Sequence, residues 1–458
     1  MAKRLYQPAP HQALHPERPP IRVLVLYAIG QLGWSLASFA AGNLMVYFFM
    51  PPEQGTPLFP SYIYQGAVLG VFTLIGIVSA GGRILDGLVD PLVANWSDRR
   101  RSTLGKRRWF LLIGATPFAV FATLIFFPVD PSESAGNFMW LVVCTALYYF
   151  FFAFYVIPYN ALMAELGHTA KDRMLISTLV SVTWALGFVA GNGVFALQGW
   201  LETEGKTPVQ AFQYALVFLH AIALCCMLLP ALFLQENRYA RQITGDQSFR
   251  EALQTIAANR NFRRFLGSFL LYWLALTFIQ LGMVYYATLL FHLEKEAAFT
   301  FSLISFLSSF ILYVPVNLLV QKWGKRRTML AAYLLFGVLF AIVAFVGIFP
   351  EGSKKALLYA LGVAAAAPLA IFGILPNALV GDEIVKEEQQ SGKQLSGMFY
   401  GITAFTMKIG ISLANLTFPS LLLVGKSREQ PMGVQATALV ALLFCITGWY
   451  TFRRYRED

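Results

Sequence analysis

Apolar residues run along this chain in stretches long enough to cross a lipid bilayer, separated by short polar breaks. A spanning helix needs roughly 20 mostly apolar residues. Runs of that size fall near residues 23–50, 62–95, 109–128, 138–164, 174–198 and 210–235. After a polar stretch they resume near 265–292, 298–321, 328–349, 356–380, 397–424 and 431–452. The pattern predicts an all-α membrane protein with twelve transmembrane helices in two sets of six. The longest polar segment inside the chain, 236–264, predicts a linker between an N-terminal half, 23–235, and a C-terminal half, 265–452. Residues 1–22 read as a polar N-terminal arm without the apolar stretch of a secretory signal, and 453–458 as a short tail.

Composition agrees with a chain whose solvent is lipid. Of 458 residues 57% are hydrophobic and 13% charged, whereas soluble domains carry about 25% charged residues. The net charge of +11 does not point to nucleic acid, because the basic residues sit in short clusters between apolar runs. Cys144, Cys225, Cys226 and Cys445 all lie inside apolar runs, which predicts no disulfide framework.

Positive charge sets the orientation, since Lys and Arg resist translocation. With the N-terminus inside, 27 of the 35 Lys and Arg fall on cytoplasmic segments and six on external loops. Both termini are therefore expected in the cytoplasm. The remaining two cations, Arg83 and Lys408, fall within the membrane. Two internal echoes point to a duplication. Gly105-Lys106-Arg107-Arg108 recurs 219 residues later as Gly324-Lys325-Arg326-Arg327, and Asn160-Ala161-Leu162 recurs 217 later as Asn377-Ala378-Leu379. Nearly equal offsets imply parallel, pseudo-symmetric six-helix repeats.

The second run carries chemistry. Asp86 and Asp90 are four apart and share a helical face, with Arg83 one turn before Asp86. Counted back from Asp98 at about 1.5 Å per residue, Asp90 is about 12 Å deep and Asp86 about 18 Å. An ionised carboxylate at such depth pairs, binds a cation or holds a proton. Two carboxylates one turn apart repel each other, and a bound Na⁺ or a proton relieves that repulsion. A structural ion-pair network with Arg83 is the plainer alternative. Lys408, deep in the eleventh run, needs an acidic partner, and the Asp pair in the other half is the candidate. His220, in the sixth run, could relay protons, but a lone histidine in an apolar helix reads first as a hydrogen-bonded packing residue. The aromatic run from Tyr148 to Tyr155 offers a stacking surface. No H-E-x-x-H, G-x-S-x-G or P-loop pattern occurs, so no enzyme is expected.

Arg83-Ile84-Leu85-Asp86 through Asp90-Pro91, then Ser97-Asp98-Arg99 and Gly105-Lys106-Arg107-Arg108-Trp109, resemble the signature of the glycoside–pentoside–hexuronide:cation symporters. This is the melibiose-permease branch of the major facilitator superfamily. Tyr27, Gly30, Gly33, Ile157-Pro158-Tyr159, Asp172-Arg173 and Lys408 add to the resemblance. It implies the major facilitator fold, Asp86 and Asp90 as ligands of the coupling cation, and Lys408 near both cation and substrate. Trp34, Tyr149, Tyr155, Asn160 and Lys408 match or neighbour the family's sugar positions. The sugar-binding carboxylates themselves do not carry over. Trp34-Ser35 replaces a Lys-Asp pair, Val156 a carboxylate, Asn160 a tryptophan and Ser181 an arginine.

The reading is a Na⁺- or H⁺-coupled symporter of a sugar or glycoside, monomeric, without organic cofactor or nucleic-acid partner, in a bacterial cytoplasmic membrane. One alternative is the same machine carrying a lysolipid or other amphiphile, as relatives of the resembled family do. Another is a non-transporting membrane sensor on the same fold.

Overall fold

The computed structural model describes residues 16–53, 58–100, 102, 104–240, 259–391 and 396–457. Twelve long helices make up nearly all of this. In the first half they are α1 Ile21–Phe49, α2 Leu74–Arg99, α3 Lys106–Leu124, α4 Ala135–Leu166, α5 Ala170–Thr203 and α6 Pro208–Phe233. In the second they are α7 Arg260–Leu290, α8 Glu296–Trp323, α9 Lys325–Ala344, α10 Glu351–Ser391, α11 Ser396–Leu422 and α12 Met432–Phe452.

Among the described residues nine of these are long and apolar enough to cross a membrane. The three others are α2, α3 and α11, and each shows why. Arg83, Asp86 and Asp90 interrupt α2, Lys106-Arg107-Arg108 opens the 19-residue α3, and Lys408 sits among hydroxyl and amide side chains in α11. Hydroxyl and amide caps start several helices by accepting an otherwise orphaned backbone N–H. Ser134 accepts from Asn137 N, Asn259 from Phe262 N, and Thr169 and Thr207 form capping boxes with Asp172 and Gln210.

The second apolar run begins differently from its sequence-based limits. Residues 62–73 are not helical. Ala67–Val68 (β1) and Phe72–Thr73 (β2) form a small antiparallel hairpin, and α2 starts only where Thr73 caps Gly76 N. Gly66 and Gly70 break the run, with Gly70 at φ +82°. Within the segment read as the linker, Glu236–Tyr239 form a helical turn docked on the first half. Most of the linker and the N-terminal arm lie outside the described residues.

Each half repeats the other's packing. The α1–α5, α1–α6, α2–α4, α3–α4 and α3–α6 contacts recur as α7–α11, α7–α12, α8–α10, α9–α10 and α9–α12. The halves meet along α2–α11 and α5–α8, again related pairs. Gly187 on α5 lets α1 approach, facing Leu32 O and Leu36 N. Gly410 on α11 faces Leu270 O and Leu274 N of α7 in the same way.

The repeated Gly-Lys-Arg-Arg gains a physical meaning. Gly105 and Gly324 have φ of +109° and +82°, a region that favours glycine, and each turns the chain into a helix. A glutamate from elsewhere in the same half then caps that helix. Glu236 accepts from Arg107 N and Arg108 N, and Glu457 from Lys325 N and Arg326 N. Burial holds the Glu236 carboxyl above its usual range, with the two backbone donors pulling it back. Beside each cap, Lys106 pairs with Glu165 and Lys325 with Asp382. This end of the bundle, expected in the cytoplasm, is called the inner end below.

Candidate functional site

Two helices from different halves build the site. α2 brings Arg83, Asp86 and Asp90, and α11 brings Lys408. They run side by side because the outer part of their contact is smooth. Gly76 stands 3.0 Å from Leu416 O, measured from where a Cβ would sit, and Ser412 Oγ donates to Ala80 O at 3.0 Å. Further in, Gly87 leaves room for the Lys408 stem and the Phe405 ring. That register drops Lys408 between the carboxylates. Its Nζ lies 2.9 Å from Asp86 Oδ2 and bonds Asp90 Oδ2.

Arg83 is held differently. Its Nη1 reaches Asp86 Oδ2 only at 3.5 Å, while its guanidinium lies over the Tyr149 and Phe152 rings at 5.2 and 5.7 Å. The aromatic faces hold it by cation–π attraction, so Lys408 is the direct partner of both acids. Asp86 is fully buried, whereas the Asp90 side chain is 25% exposed. Pro91 directly follows Asp90 and removes one bond from the helical ladder there. With all four groups ionised, Lys408 and Arg83 balance the two carboxylates and the cluster is neutral.

Asp86 Oδ1 and Asp90 Oδ1 are buried without a partner, as are the hydroxyls of Thr145, Tyr148 and Tyr149 nearby on α4. Buried polar atoms are normally satisfied. Orphaned carboxylate and hydroxyl oxygens beside a neutral cluster fit a small hard cation or a proton.

The remaining candidates scatter. Trp34 is partly buried, edge-on to Phe152 at 5.9 Å, with its indole N–H unpartnered. Asn160 is exposed on α4, and so is its repeat partner Asn377 on α10. Tyr149 is fully buried under Arg83. Tyr155 does not face a cavity. It is fully buried and its hydroxyl donates to Met227 O at 3.0 Å, because Gly33 lets α1 and α6 close around it. Tyr27 and Tyr159 lock α1 to α4, each hydroxyl donating to the other's carbonyl at 2.9 and 2.6 Å. His220 is buried and bonded to Thr123 at 2.7 Å.

Sequence reasoning missed the ties at the outer end. Lys295 bonds Glu202, Lys426 bonds Gln65, and Tyr285 donates to Met50 O, all between halves. The ion pairs given for the described residues at the inner end, by contrast, join elements on one side of the linker. They include Arg107 with Asp98 and Glu165, Arg18 with Asp172, Glu17 with Arg238, and Lys325 with Asp382.

With that geometry in place, comparison with known proteins decides the family. Residues 26–450 match the MFS/sugar transport protein family. The chain belongs to it. Family and neighbours are transporters, and the chain is an integral membrane protein of that kind. The putative glycoside/cation symporter YagG of Escherichia coli is 22% identical over 427 residues, 91% of this chain and 87% of YagG. The sodium-dependent lysophosphatidylcholine symporter 1 of Xenopus tropicalis is also 22% identical, over 92% of this chain and 83% of its own length. Among solved structures, the nucleoside transporter NupG aligns with a TM-score of 0.66 at 15% identity, covering 95% of this chain and 99% of that one. That likeness speaks for the fold alone.

Proposed function

We propose that this chain is a symporter that draws a sugar or glycoside across a bacterial cytoplasmic membrane on the gradient of Na⁺ or H⁺, as a monomer. One observation carries the reading: Lys408 of the second half bonds both Asp86 and Asp90 of the first. A cation or proton arriving at the pair makes the neutral cluster one charge positive and weakens the hold on Lys408. Occupancy of the site is thereby tied to the contact between halves, which is what coupling requires. The relatives named as glycoside/cation and sodium-dependent symporters support this.

The test uses proteoliposomes and a panel of radiolabelled glycosides under an imposed Na⁺ or proton gradient. Asp86→Asn and Asp90→Asn should each abolish accumulation while downhill exchange survives. If both variants still concentrate the solute, the pair is structural and the reading fails.

A second reading, an amphiphile as solute, is favoured by a cavity of about 190 Å³ beside Arg83 and Lys408. Its walls include Ile84, Leu88, Phe405 and Leu413, all exposed and apolar. Adding lysophosphatidylcholine to the same panel separates the two.

A further inference from the structure

The inner ends of α7 and α12 gather positive charge. The two helices pack side by side, and a Cβ on Gly267 of α7 would stand 3.5 Å from Thr451 of α12. Asn261 ties the chain beyond α12 to the start of α7. Its amide donates to Arg456 O at 3.0 Å and its side-chain carbonyl accepts from Arg456 N at 2.9 Å. Arg264 Nη1 donates to Arg454 O at 2.7 Å. These ties bring Arg260, Arg454 and Arg456 close enough to Arg264 for their like charges to repel it.

The crowding is costly. Arg260 and Arg263 sit in the first turn of α7, where the helix dipole disfavours cations. Among the described residues no carboxylate pairs with Arg260, Arg264, Arg454 or Arg456. Acids at this end have other work. Glu383 accepts from Tyr455 Oη at 2.8 Å and from Asn261 Nδ2 at 2.6 Å, and Glu457 caps α9. Nor does the frame itself require the charges. Leu270 and Leu274 meet Gly410 as Leu32 and Leu36 meet Gly187, and at that offset Arg263 and Arg264 stand where the first half has Val25 and Leu26. The first half's Arg18 and Arg238 are answered, by Asp172 and Glu17.

An apolar track leads to the cluster. Leu439, Leu443, Ile446 and Tyr450 form one exposed stripe along α12 that ends at Arg454. The Arg454 guanidinium lies over the Tyr450 ring at 4.6 Å, and Arg453 over Trp449 at 5.5 Å. Tyr and Trp rings at a helix end mark the level of the lipid headgroups. Such a stripe is ordinary lipid-facing surface; a head of four unanswered arginines is not.

We propose that Arg260, Arg264, Arg454 and Arg456 bind one anionic phospholipid of the inner leaflet, with its phosphate among the guanidinia and an acyl chain along the α12 stripe. The planar fork of arginine matches phosphate oxygens, and an anion there relieves the repulsion that the chain leaves unanswered. A headgroup with two phosphates engages the most donors, so diphosphatidylglycerol is the preferred ligand. The site does not depend on what the protein carries.

Native mass spectrometry of the full chain in detergent tests it without a solute. The protein is titrated with diphosphatidylglycerol, phosphatidylglycerol or phosphatidylethanolamine, and inorganic phosphate is added as competitor. The parent should retain one diphosphatidylglycerol under activation that strips phosphatidylethanolamine, and phosphate should not displace it. Arg260→Gln with Arg456→Gln keeps the Arg264 bond to Arg454 O. It should weaken retention at least about tenfold, since each arginine beside an anionic lipid is worth a factor of about five. Changing all four to glutamine should weaken it at least about a hundredfold. An equal charge loss at exposed inner positions elsewhere, Arg22→Gln, Lys171→Gln, Lys322→Gln and Arg327→Gln, should leave binding as in the parent. Undiminished retention in the double variant, or an equal loss in the control, overturns the site. Displacement by inorganic phosphate would show that the cluster takes free anions, and the lipid assignment would fail.

Discussion

Helices α2 and α8 hold the same place in the two halves, and each crosses to the opposite half, α2 against α11 and α8 against α5. At the offset of the Gly-Lys-Arg-Arg repeat, Arg83, Asp86 and Asp90 correspond to Ser302, Ser305 and Ser309. All three serines are buried. Gly187 and Gly410 align the partner helices and put Ala185 where Lys408 stands. The α5–α8 contact is filled by Phe306 against Phe188 and Trp184. At the positions that correspond to the ion site, the fold therefore builds this crossing without charge. Since desolvating ions costs more than packing small neutral groups, the four charges of α2 and α11 are not there to make the helices pack.

That contrast can be broken directly. Converting the charged crossing to its counterpart, with Arg83→Ser, Asp86→Ser, Asp90→Ser and Lys408→Ala together, should leave a folded protein that melts within a few degrees of the parent. Gradient-driven accumulation should vanish completely. Lys408→Ala alone should be far worse for stability, by roughly 3–5 kcal/mol, because two carboxylates are left buried against each other. Thermal unfolding in detergent checks both. If the quadruple variant is less stable than the single, the charges are structural and the contrast is false.

The inner ends sharpen the comparison at a smaller scale. In the first half Arg107 is 5% exposed and bonds Ser97, Asp98 and the buried Glu165, at 2.9 Å for Glu165. The neighbouring Lys106–Glu165 pair has its counterpart in the second half in Lys325 with Asp382, which is 29% and 39% exposed, and Asn317 stands in the place of Asp98. Arg107→Ala should cost about 3 kcal/mol, since it leaves the buried Glu165 with only the looser 3.2 Å contact to Lys106 among the described residues. Lys325→Ala should cost no more than about 1 kcal/mol, as water screens an exposed pair. Equal losses in a melting experiment would show that the two networks carry the same load.

Much of this was legible in the sequence for one physical reason: charge in an apolar run is conspicuous. Arg83, Asp86, Asp90 and Lys408 stood out that way, and their mutual contact followed from the lack of other partners. The Gly-Lys-Arg-Arg echo was visible too, though its capping by Glu236 and Glu457 was not, because those glutamates lie far away in the chain. Tyr149 and Tyr155, expected near the substrate, are fully buried in this structure. A helix that is aromatic all round gives no periodicity to separate core from lipid or cavity. The serines of α8 escaped notice because a buried serine can satisfy itself on its own helix, as Ser302 does on Ala298 O. The outer ties were hidden because each joins loops or helix ends whose meeting depends on the whole arrangement.

The last difference between halves is also the smallest. Helices α3 and α6 meet through a polar contact, Thr123 with His220, whereas α9 and α12 meet at Gly337 against Leu442 and Cys445, without one. Thr123 Oγ1 already donates its proton to Ala119 O at 2.8 Å. The histidine must therefore supply the hydrogen of the 2.7 Å contact from Nδ1. This bond fixes the ring and offers no onward acceptor for a proton, which fits packing rather than relay. His220→Leu removes one net hydrogen bond but leaves Thr123 satisfied on Ala119, so the loss should be at the low end of about 0.5–1.5 kcal/mol. Coupled transport, assayed across the pH range in which a histidine titrates, should keep the parent's profile. A profile that flattens in His220→Leu would make the α3–α6 contact part of the proton path, and the polar difference between halves would then be functional after all.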